Sequence, residues 1–208
     1  MIRGVFVTGT DTGAGKTLVS AWLAHGWRAA YWKPIQSGFP PDDDTVEVGR
    51  LAGCPTFLPA VRFKAPLSPQ EAARKEGKVL AVRDFTLPES SLPLVVEGAG
   101  GLLVPINDDE TMADLIAAFG LPVVIAARGT LGTVNHTLLT LEALRARSLP
   151  VLGIVFSGPL DAANRTAIAV RGRCPILGAI PLLDPPTPQT LAASGVPPAL
   201  SLAMENLS

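Results

Sequence analysis

The chain has few cysteines and almost no net charge. Only two of its 208 residues are cysteine, Cys54 and Cys174, and neither has a Cys-x-x-Cys or Cys/His spacing. Disulfide frameworks and zinc sites need such clusters, so we expect two free thiols. The 17 basic and 18 acidic residues give a net charge of −1. A nucleic-acid binder would have a basic surplus, so this class of protein is disfavoured.

Long apolar runs are also missing. None approaches the roughly 18–20 residues that span a bilayer. The N-terminal residues lack the apolar stretch and cleavage site of a signal peptide, so we expect a cytoplasmic protein without membrane contact. Apolar residues nevertheless make up 48% of the chain. At this length the composition predicts one compact domain spanning residues 1–208.

Short apolar runs alternate with longer amphipathic stretches. The runs predict strands at residues 2–8, 29–33, 92–97, 122–127, 150–156 and 176–180. The stretches predict helices at residues 16–27, 45–52, 68–77, 111–119, 134–147 and 161–173. Because most runs are apolar throughout, we predict an α/β fold with a doubly wound, mostly parallel sheet and helices on both faces. Such sheets bind ligands beyond the carboxyl ends of their strands.

A glycine-rich loop joins the first predicted strand to the first predicted helix. From Gly9 to Thr17 its sequence is GTDTGAGKT, with five residues rather than the usual four between Gly9 and Gly15. Its setting and its Gly-Lys-Thr ending indicate a phosphate-binding P-loop. We expect Lys16 to contact the β- and γ-phosphates and the Thr17 hydroxyl to ligate Mg²⁺. GTPases, kinases, partition ATPases and synthetases all use such loops, so the reaction stays open.

A second lysine, Lys33, ends the second predicted strand and precedes Pro34. Two lysines near one γ-phosphate would suit a transition state whose charge spreads over three oxygens. A surface lysine unrelated to the phosphates is the alternative.

Acidic residues follow in two places. Asp42, Asp43 and Asp44 directly precede the helix predicted from Thr45, where Asp44 stands at the N-cap position. Capping needs one acid, so a Mg²⁺ ligand is an equal alternative for Asp44. Glu97 ends the third predicted strand, as a Walker B carboxylate does, and glycines follow it. A structural glutamate bonded to loop amides is the alternative.

The fourth predicted strand, at residues 122–127, is followed by the sequence GTLGTVNH at residues 129–136, where another helix begins. Free amides at this helix N-terminus would bind a carboxylate by donating hydrogen bonds to it. His136 lies in the first turns of that helix, and we interpret it as structural rather than catalytic. His25 has no partner motif.

Together these segments resemble the dethiobiotin synthetase family. They are VTGTDT at residues 7–12, GKT at 15–17, KPIQSG at 33–38, APLSP at 65–69, VEGAGG at 96–101 and LGTVNH at 131–136. The segments occur in the family's order and cover about residues 2–183. The lysine-proline and glutamate-glycine segments are specific to the family, whereas the P-loop alone is not.

The resemblance implies a reaction of ATP and CO2 with 7,8-diaminopelargonate that yields dethiobiotin, ADP and phosphate in biotin biosynthesis. In the family, one amine becomes a carbamate, which takes the γ-phosphoryl group to form a mixed anhydride. The second amine then closes the ring. This chemistry needs neutralisation and alignment more than acid–base catalysis, so the absence of a His/Asp pair is expected.

The resemblance also implies roles for individual residues. The expected catalytic residues are Lys16 and Lys33, which would neutralise the carbamate and the phosphoryl group. The expected Mg²⁺ ligands are Thr17, Asp44 and Glu97. The expected nucleotide contacts are Gly13, Ala14, Gly15, Lys16, Thr17, Leu18, Ser157 and Pro181. The expected substrate contacts are Thr12, Ser37, Gly98, Gly100, Thr130, Leu131 and Asn135. In the family homodimer, the segment matching residues 130–135 grips the substrate carboxylate from the neighbouring subunit.

Two positions depart from the family pattern. Gly13 stands where some members have a glutamate. After the fifth predicted strand, at residues 150–156, members of the family often have an Asn-Asp pair beside the adenine, whereas this chain has Ser157 and Gly158. A hydroxyl lacks the paired donor and acceptor of an amide, so we expect weaker preference for adenine over other bases. The main alternative function is a partition-type switch ATPase, but no lysine lies between Gly9 and Gly15 as in that class.

Overall fold

A computed structural model describes residues 3–159 and 161–205 of the chain. Ile2, which belongs to the first predicted strand, lies outside them. The elements in chain order are β1 (Gly4–Gly9), α1 (Lys16–Trp27), β2 (Ala30–Trp32), β3 (Ile35–Ser37), α2 (Asp44–Ala52), β4 (Thr56–Phe57), β5 (Val61–Phe63), α3 (Pro69–Lys75), a 3-10 helix (Val82–Asp84), β6 (Leu94–Gly101), α4 (Met112–Phe119), β7 (Val123–Arg128), α5 (Thr133–Ala146), β8 (Val151–Ser157), α6 (Ala162–Gly172), β9 (Ile176–Ile180), α7 (Pro188–Ala193) and α8 (Pro198–Glu205).

Seven of the strands form one parallel sheet in the order β4-β2-β6-β1-β7-β8-β9. This arrangement confirms the predicted α/β fold. Strands β3 and β5 form a separate two-stranded parallel sheet. Since β6 pairs with both β1 and β2, the carboxyl ends of these three strands meet at one edge.

Side chains alternate along the strands and divide the core into two layers. Phe6 and Val96 belong to the layer under α4, α5 and α6. Val7 and Val95 belong to the opposite layer, under α1, α2, α7 and α8, where Trp22 is buried. Each large apolar side chain buried in this way contributes about 1.5–3 kcal/mol, so covering both faces stabilises the sheet.

The structure differs from the predicted elements in three ways. Strands β3, β4 and β5 were not predicted, because two or three residues show no periodicity. Strand β6 continues past Glu97 to Gly101, which pairs with Gly9 of β1. The proline-rich tail, for which the sequence predicted no element, forms α7 and α8. Trp22 Nε1 holds this tail by donating to the Gly195 carbonyl over 2.9 Å.

Both cysteines are free, as predicted. Within residues 3–159 and 161–205, no helix is long and apolar enough to cross a membrane.

Candidate active site

Strand register brings Lys33 beside Glu97. Trp32, the last residue of β2, pairs with Val96 of β6, and the residue after each is therefore at the same level. Adjacent residues of a strand point to opposite faces, so Lys33 and Glu97 share the face covered by α1. The P-loop follows β1 on the other side of β6. The sheet thus brings together Thr17, Lys33 and Glu97, which are 16 to 80 residues apart in sequence.

The P-loop has the backbone geometry that its glycines permit. Gly13 and Gly15 have positive φ values of 72° and 84°, a backbone conformation that residues other than glycine rarely adopt. Helix α1 begins at Lys16, and its N-terminal amides face the cleft, where they can bind phosphate oxygens. The buried Lys16 Nζ lies 3.4 Å from the Asp11 carbonyl. Burial lowers the pKa of Lys16; the charge of Glu97 opposes this effect.

Four side chains contact one another in the centre of the site. Lys33 Nζ donates to Glu97 Oε1 over 3.0 Å and also to Asp44 Oδ2. The Thr17 hydroxyl lies 2.9 Å from Asp44 Oδ1 and 3.3 Å from Glu97 Oε1. Lys33 and Glu97 are buried, whereas the Asp44 side chain is 24% exposed. The second oxygen of Glu97, Oε2, accepts a 2.9 Å hydrogen bond from the Tyr31 hydroxyl.

Charge pairing keeps the central lysine protonated. Burial by itself lowers the pKa of Lys33, but the neighbouring Glu97 and Asp44 outweigh burial and raise it. Burial likewise raises the pKa of Asp44, and the Lys33 charge and hydrogen bond outweigh this effect and lower it. The pair therefore consists of an ammonium and a carboxylate at neutral pH. Burial also raises the pKa of Tyr31, so its phenol remains a hydrogen-bond donor.

The oxygen set around Lys33 fits a magnesium ion. Thr17, Asp44 and Glu97 place a hydroxyl and two carboxylates around one ammonium, and hard oxygen ligands are those that Mg²⁺ prefers. Among the described residues, no three or more His, Cys, Asp or Glu side chains are grouped so that they could hold a metal ion by themselves. Mg²⁺ commonly completes its coordination with water and substrate phosphates, so two carboxylates are enough.

Helix α2 is capped by Asp43 and not by Asp44, which corrects the sequence analysis. Asp43 Oδ1 accepts from the Thr45 and Val46 amides over 3.0 and 3.2 Å. Arg62 contacts the other oxygen of Asp43 over 3.2 Å. The cap position is one residue earlier because Asp44 is already in the first helical turn. Asp44 is thereby free to contact Thr17 and Lys33.

A cleft of about 1130 Å³ opens in front of these groups. Its lining includes residues of the P-loop and apolar side chains such as Phe39, Leu67 and Val104. The family-like segment around Pro66 also lines it. Ser37 Oγ is buried at the cleft and has no hydrogen-bond partner among the described residues. A ligand with both charged and aliphatic parts would fit such a surface.

The sequence-predicted residues fall into three groups. The cleft is lined by Thr12, Gly13, Gly15, Lys16, Thr17, Lys33, Ser37, Asp44, Glu97 and Gly100. Within or beside the P-loop, but outside the cleft lining, are Ala14, Leu18 and Ser157. A Cβ on Gly15 would lie 2.5 Å from Ser157 Oγ, so Ser157 packs against the loop. Outside the cleft lining are Gly98, whose chain neighbours Glu97 and Ala99 do line it, and Thr130, Leu131, Asn135 and Pro181.

The distant residues have different surroundings. Thr130, Leu131 and Asn135 are exposed at the start of α5, and Leu131 is completely exposed. Pro181 is exposed just beyond β9, close to Ser157 at the end of β8, since the Gly158 amide donates to the Ile180 carbonyl over 2.9 Å. His136 is exposed, and His25 Nδ1 lies 3.4 Å from the Ala52 carbonyl, outside the cleft.

Sequence reasoning missed several residues that hold the site. Tyr31 lies two residues before Lys33, so the period of a strand could have placed both on one face. Gln36 accepts from the Asp44 amide over 3.2 Å through its side-chain oxygen. Arg128, at the end of β7, contacts Asp11 of the P-loop over 2.9 Å. No local pattern marks Arg128, because this contact depends on which strands are neighbours.

Comparisons with known proteins support a nucleotide-dependent function. A family model described as an AAA domain matches residues 3–190. The ATP-dependent dethiobiotin synthetase BioD of Paramagnetospirillum magneticum is 52% identical over 198 residues, covering 95% of this chain and 96% of that protein. The protein of the same name from Brucella ovis is 50% identical over 190 residues, 90% of each chain. The biotin biosynthesis bifunctional protein BioCD of Bordetella avium is 56% identical over 186 residues. These cover 88% of this chain but only 40% of that longer protein.

Solved structures resemble the fold at much lower identity. The septum site-determining protein MinD of Pyrococcus horikoshii, complexed with Mg-ADP, has a TM-score of 0.55 at 13% identity and covers 100% of this chain and 94% of its own. A ParA family ATPase of Chlorobium tepidum has a TM-score of 0.51 at 12% identity, with 99% and 94% coverage. These likenesses show a shared P-loop α/β fold and nothing further about function.

The surroundings of Gly98 predict a packing role. It faces the opposite side of the sheet from Glu97, and an added Cβ would lie 2.8 Å from Phe6 Cε1. We expect Gly98→Ala to lower the free energy of unfolding by about 1–3 kcal/mol through overpacking, measured by urea denaturation. The cost should shrink in a Phe6→Leu background, which relieves the contact. Unchanged stability with lost substrate binding would instead indicate a direct substrate contact.

Proposed function

The chain belongs to the ATP-dependent dethiobiotin synthetase family, and we propose on this basis that it closes the ureido ring of dethiobiotin. Its substrates would be 7,8-diaminopelargonate, CO2 and ATP, and its other products ADP and phosphate. Identity of about half the residues with named family members over nearly the whole chain supports this function. The single structural observation that supports it best is the buried Lys33 ammonium at the cleft wall, close to the P-loop.

The two lysines would neutralise successive anions. One amine of the diamine combines with CO2 and loses a proton to give a carbamate. A carbamate oxygen then bonds to the γ-phosphorus as the bond to the ADP oxygen breaks. Lys16 and Lys33 would balance the negative charge during this transfer, because both line the same cleft. The second amine attacks the carbamoyl carbon, phosphate leaves, and the ring closes as the amine loses its proton.

Uncharged groups would orient the reactants. Thr12 and Ser37 line the cleft, and the unpartnered Ser37 hydroxyl can donate to a carbamate or phosphate oxygen. The apolar side chains of Leu67 and Val104 in the cleft lining would accommodate the aliphatic part of the diamine. Thr17, Asp44 and Glu97 would hold Mg²⁺, which supplies positive charge to the nucleotide phosphates when bound.

We further propose a homodimer in which a second subunit completes the substrate site. Thr130, Leu131 and Asn135 are exposed at the N-terminal end of α5, outside the cleft of their own chain. The first amides of this helix can donate hydrogen bonds to a carboxylate, such as the one at the end of the diamine's aliphatic chain. A fully exposed Leu131 also suits burial against a partner.

A switch ATPase of the partition type is the second candidate, favoured only by the shared fold. The five residues between Gly9 and Gly15 are Thr10, Asp11, Thr12, Gly13 and Ala14, so this loop has no lysine in the position typical of that class. Dethiobiotin formation separates the two functions.

The first test is direct product formation. The purified chain, mixed with ATP, Mg²⁺, bicarbonate and 7,8-diaminopelargonate, should yield dethiobiotin by mass spectrometry. Lys33→Gln and Glu97→Gln should each lower the rate by at least about 100-fold, because each removes a charge aligned with the transferring group. Glu97→Gln keeps the size of the side chain and Lys33→Gln keeps a polar group, each without the charge, and circular dichroism would verify folding.

Lys75→Ala is the matched control, because Lys75 is an exposed lysine on α3. This variant should keep wild-type activity. ATP hydrolysis without dethiobiotin, at a rate indifferent to the diamine, would contradict the synthetase function and favour the switch ATPase.

Base selectivity provides a second test. Ser157 ends β8 beside the P-loop and offers only a hydroxyl where an amide could recognise adenine. We expect kcat/KM for ATP to exceed the values for CTP and GTP by less than about 100-fold. The reason is that a site with few hydrogen bonds to the base edge distinguishes one base from another only weakly. Ser157→Asn should raise the ratio. A wild-type preference for ATP above about 100-fold would show that other groups read the base.

A further inference from the structure

The two oxygens of Glu97 have different neighbours. Oε1 faces Lys33 and Thr17 over 3.0 and 3.3 Å, on the cleft side. Oε2 accepts from the Tyr31 hydroxyl over 2.9 Å. The carboxylate is completely buried, so water does not satisfy it from another direction. Each oxygen therefore depends on the donors that the protein provides.

Tyr31 is held rigidly. It lies in the interior of the sheet on β2, where it pairs with Val95 on one side and Thr56 on the other. Its ring is fully buried in the layer that contains Trp22. Within the described residues, Glu97 is the hydrogen-bond partner of its hydroxyl. The phenol thus reaches the active site from inside the core and does not line the cleft.

We propose that Tyr31 is a positioning residue that binds Oε2 of Glu97 and thereby directs Oε1 toward Thr17 and Mg²⁺. This inference rests on the proposed Mg²⁺ role of Glu97. A carboxylate can rotate about its last side-chain bond, and the phenol fixes this rotation. Residues that hydrogen-bond to a metal ligand without contacting the metal commonly raise metal affinity by roughly 10–100-fold.

The first experiment measures Mg²⁺ dependence without catalysis. A fluorescent ATP analogue is titrated onto the protein at a series of Mg²⁺ concentrations. Tyr31→Phe removes only the hydroxyl, and we expect it to raise the Mg²⁺ concentration at half-maximal binding by about 10-fold or more. Binding of the analogue in EDTA should stay unchanged. Half-maximal Mg²⁺ within about twofold of the wild-type value would overturn the proposal.

A purely structural hydroxyl would behave differently in two controls. Ser20→Ala removes another fully buried hydroxyl, on α1, and should leave the Mg²⁺ dependence unchanged. In a Glu97→Gln background, Tyr31→Phe should cause no further change, because its effect passes through Glu97. An equal effect of Tyr31→Phe with and without the Glu97 carboxylate would contradict the proposal.

The wild-type chain provides a test that does not depend on how the variant folds. It contains one tyrosine, so ring-labelled tyrosine yields a single Cζ resonance in ¹³C NMR. This resonance should shift when Mg²⁺ and a non-hydrolysable ATP analogue are added together, and not when EDTA replaces Mg²⁺. An unmoved resonance at saturating Mg²⁺ and analogue would overturn the proposal. None of these measurements needs the diamine, so failure here is distinct from failure to form dethiobiotin.

Discussion

The candidate active site depends on one buried ammonium between two carboxylates. Lys33 is almost fully buried and Glu97 completely so, and burying a charged group without a partner costs roughly several kcal/mol. Breaking such a pair by removing one partner typically costs about 3–5 kcal/mol, since an uncompensated charge is left behind. The pairing keeps Lys33 positive, keeps Asp44 negative and brings α2 against the end of β2. A phosphate site and its candidate metal ligands are thus held together by mutual charge.

The sheet supplies the geometry for this pairing. Because β6 lies between β1 and β2, three strand ends carry their polar residues to one edge while their apolar residues stay in the core. Support also comes from behind the site. Tyr31 contacts Glu97 from the core, while Gln36 and Asp43, at the cleft wall, accept hydrogen bonds from backbone amides in the first turn of α2. An enzyme that neutralises anions needs such prearranged charges more than mobile acids or bases.

Much of this arrangement was predictable from local pattern. The helix at Lys16–Trp27 matched its predicted bounds, because the glycine loop and the apolar run after it are strong signals. The short strands and the tail helices were missed, since two or three residues, or prolines among small residues, leave no period to detect. The N-cap of α2 was misplaced by one residue: adjacent aspartates have identical chemistry, and only backbone geometry distinguishes Asp43 from Asp44.

The fold class, the P-loop and the residue types of the candidate site could be inferred from sequence, because glycine placement, apolar periodicity and charge at strand ends are local properties. Which charges meet depends on the fold of the whole chain. The contacts of Glu97 with Lys33, Thr17 and Tyr31 join residues 64 to 80 positions apart. Such contacts follow from strand order and register, which arise from packing of the whole sheet and leave no mark on any one segment.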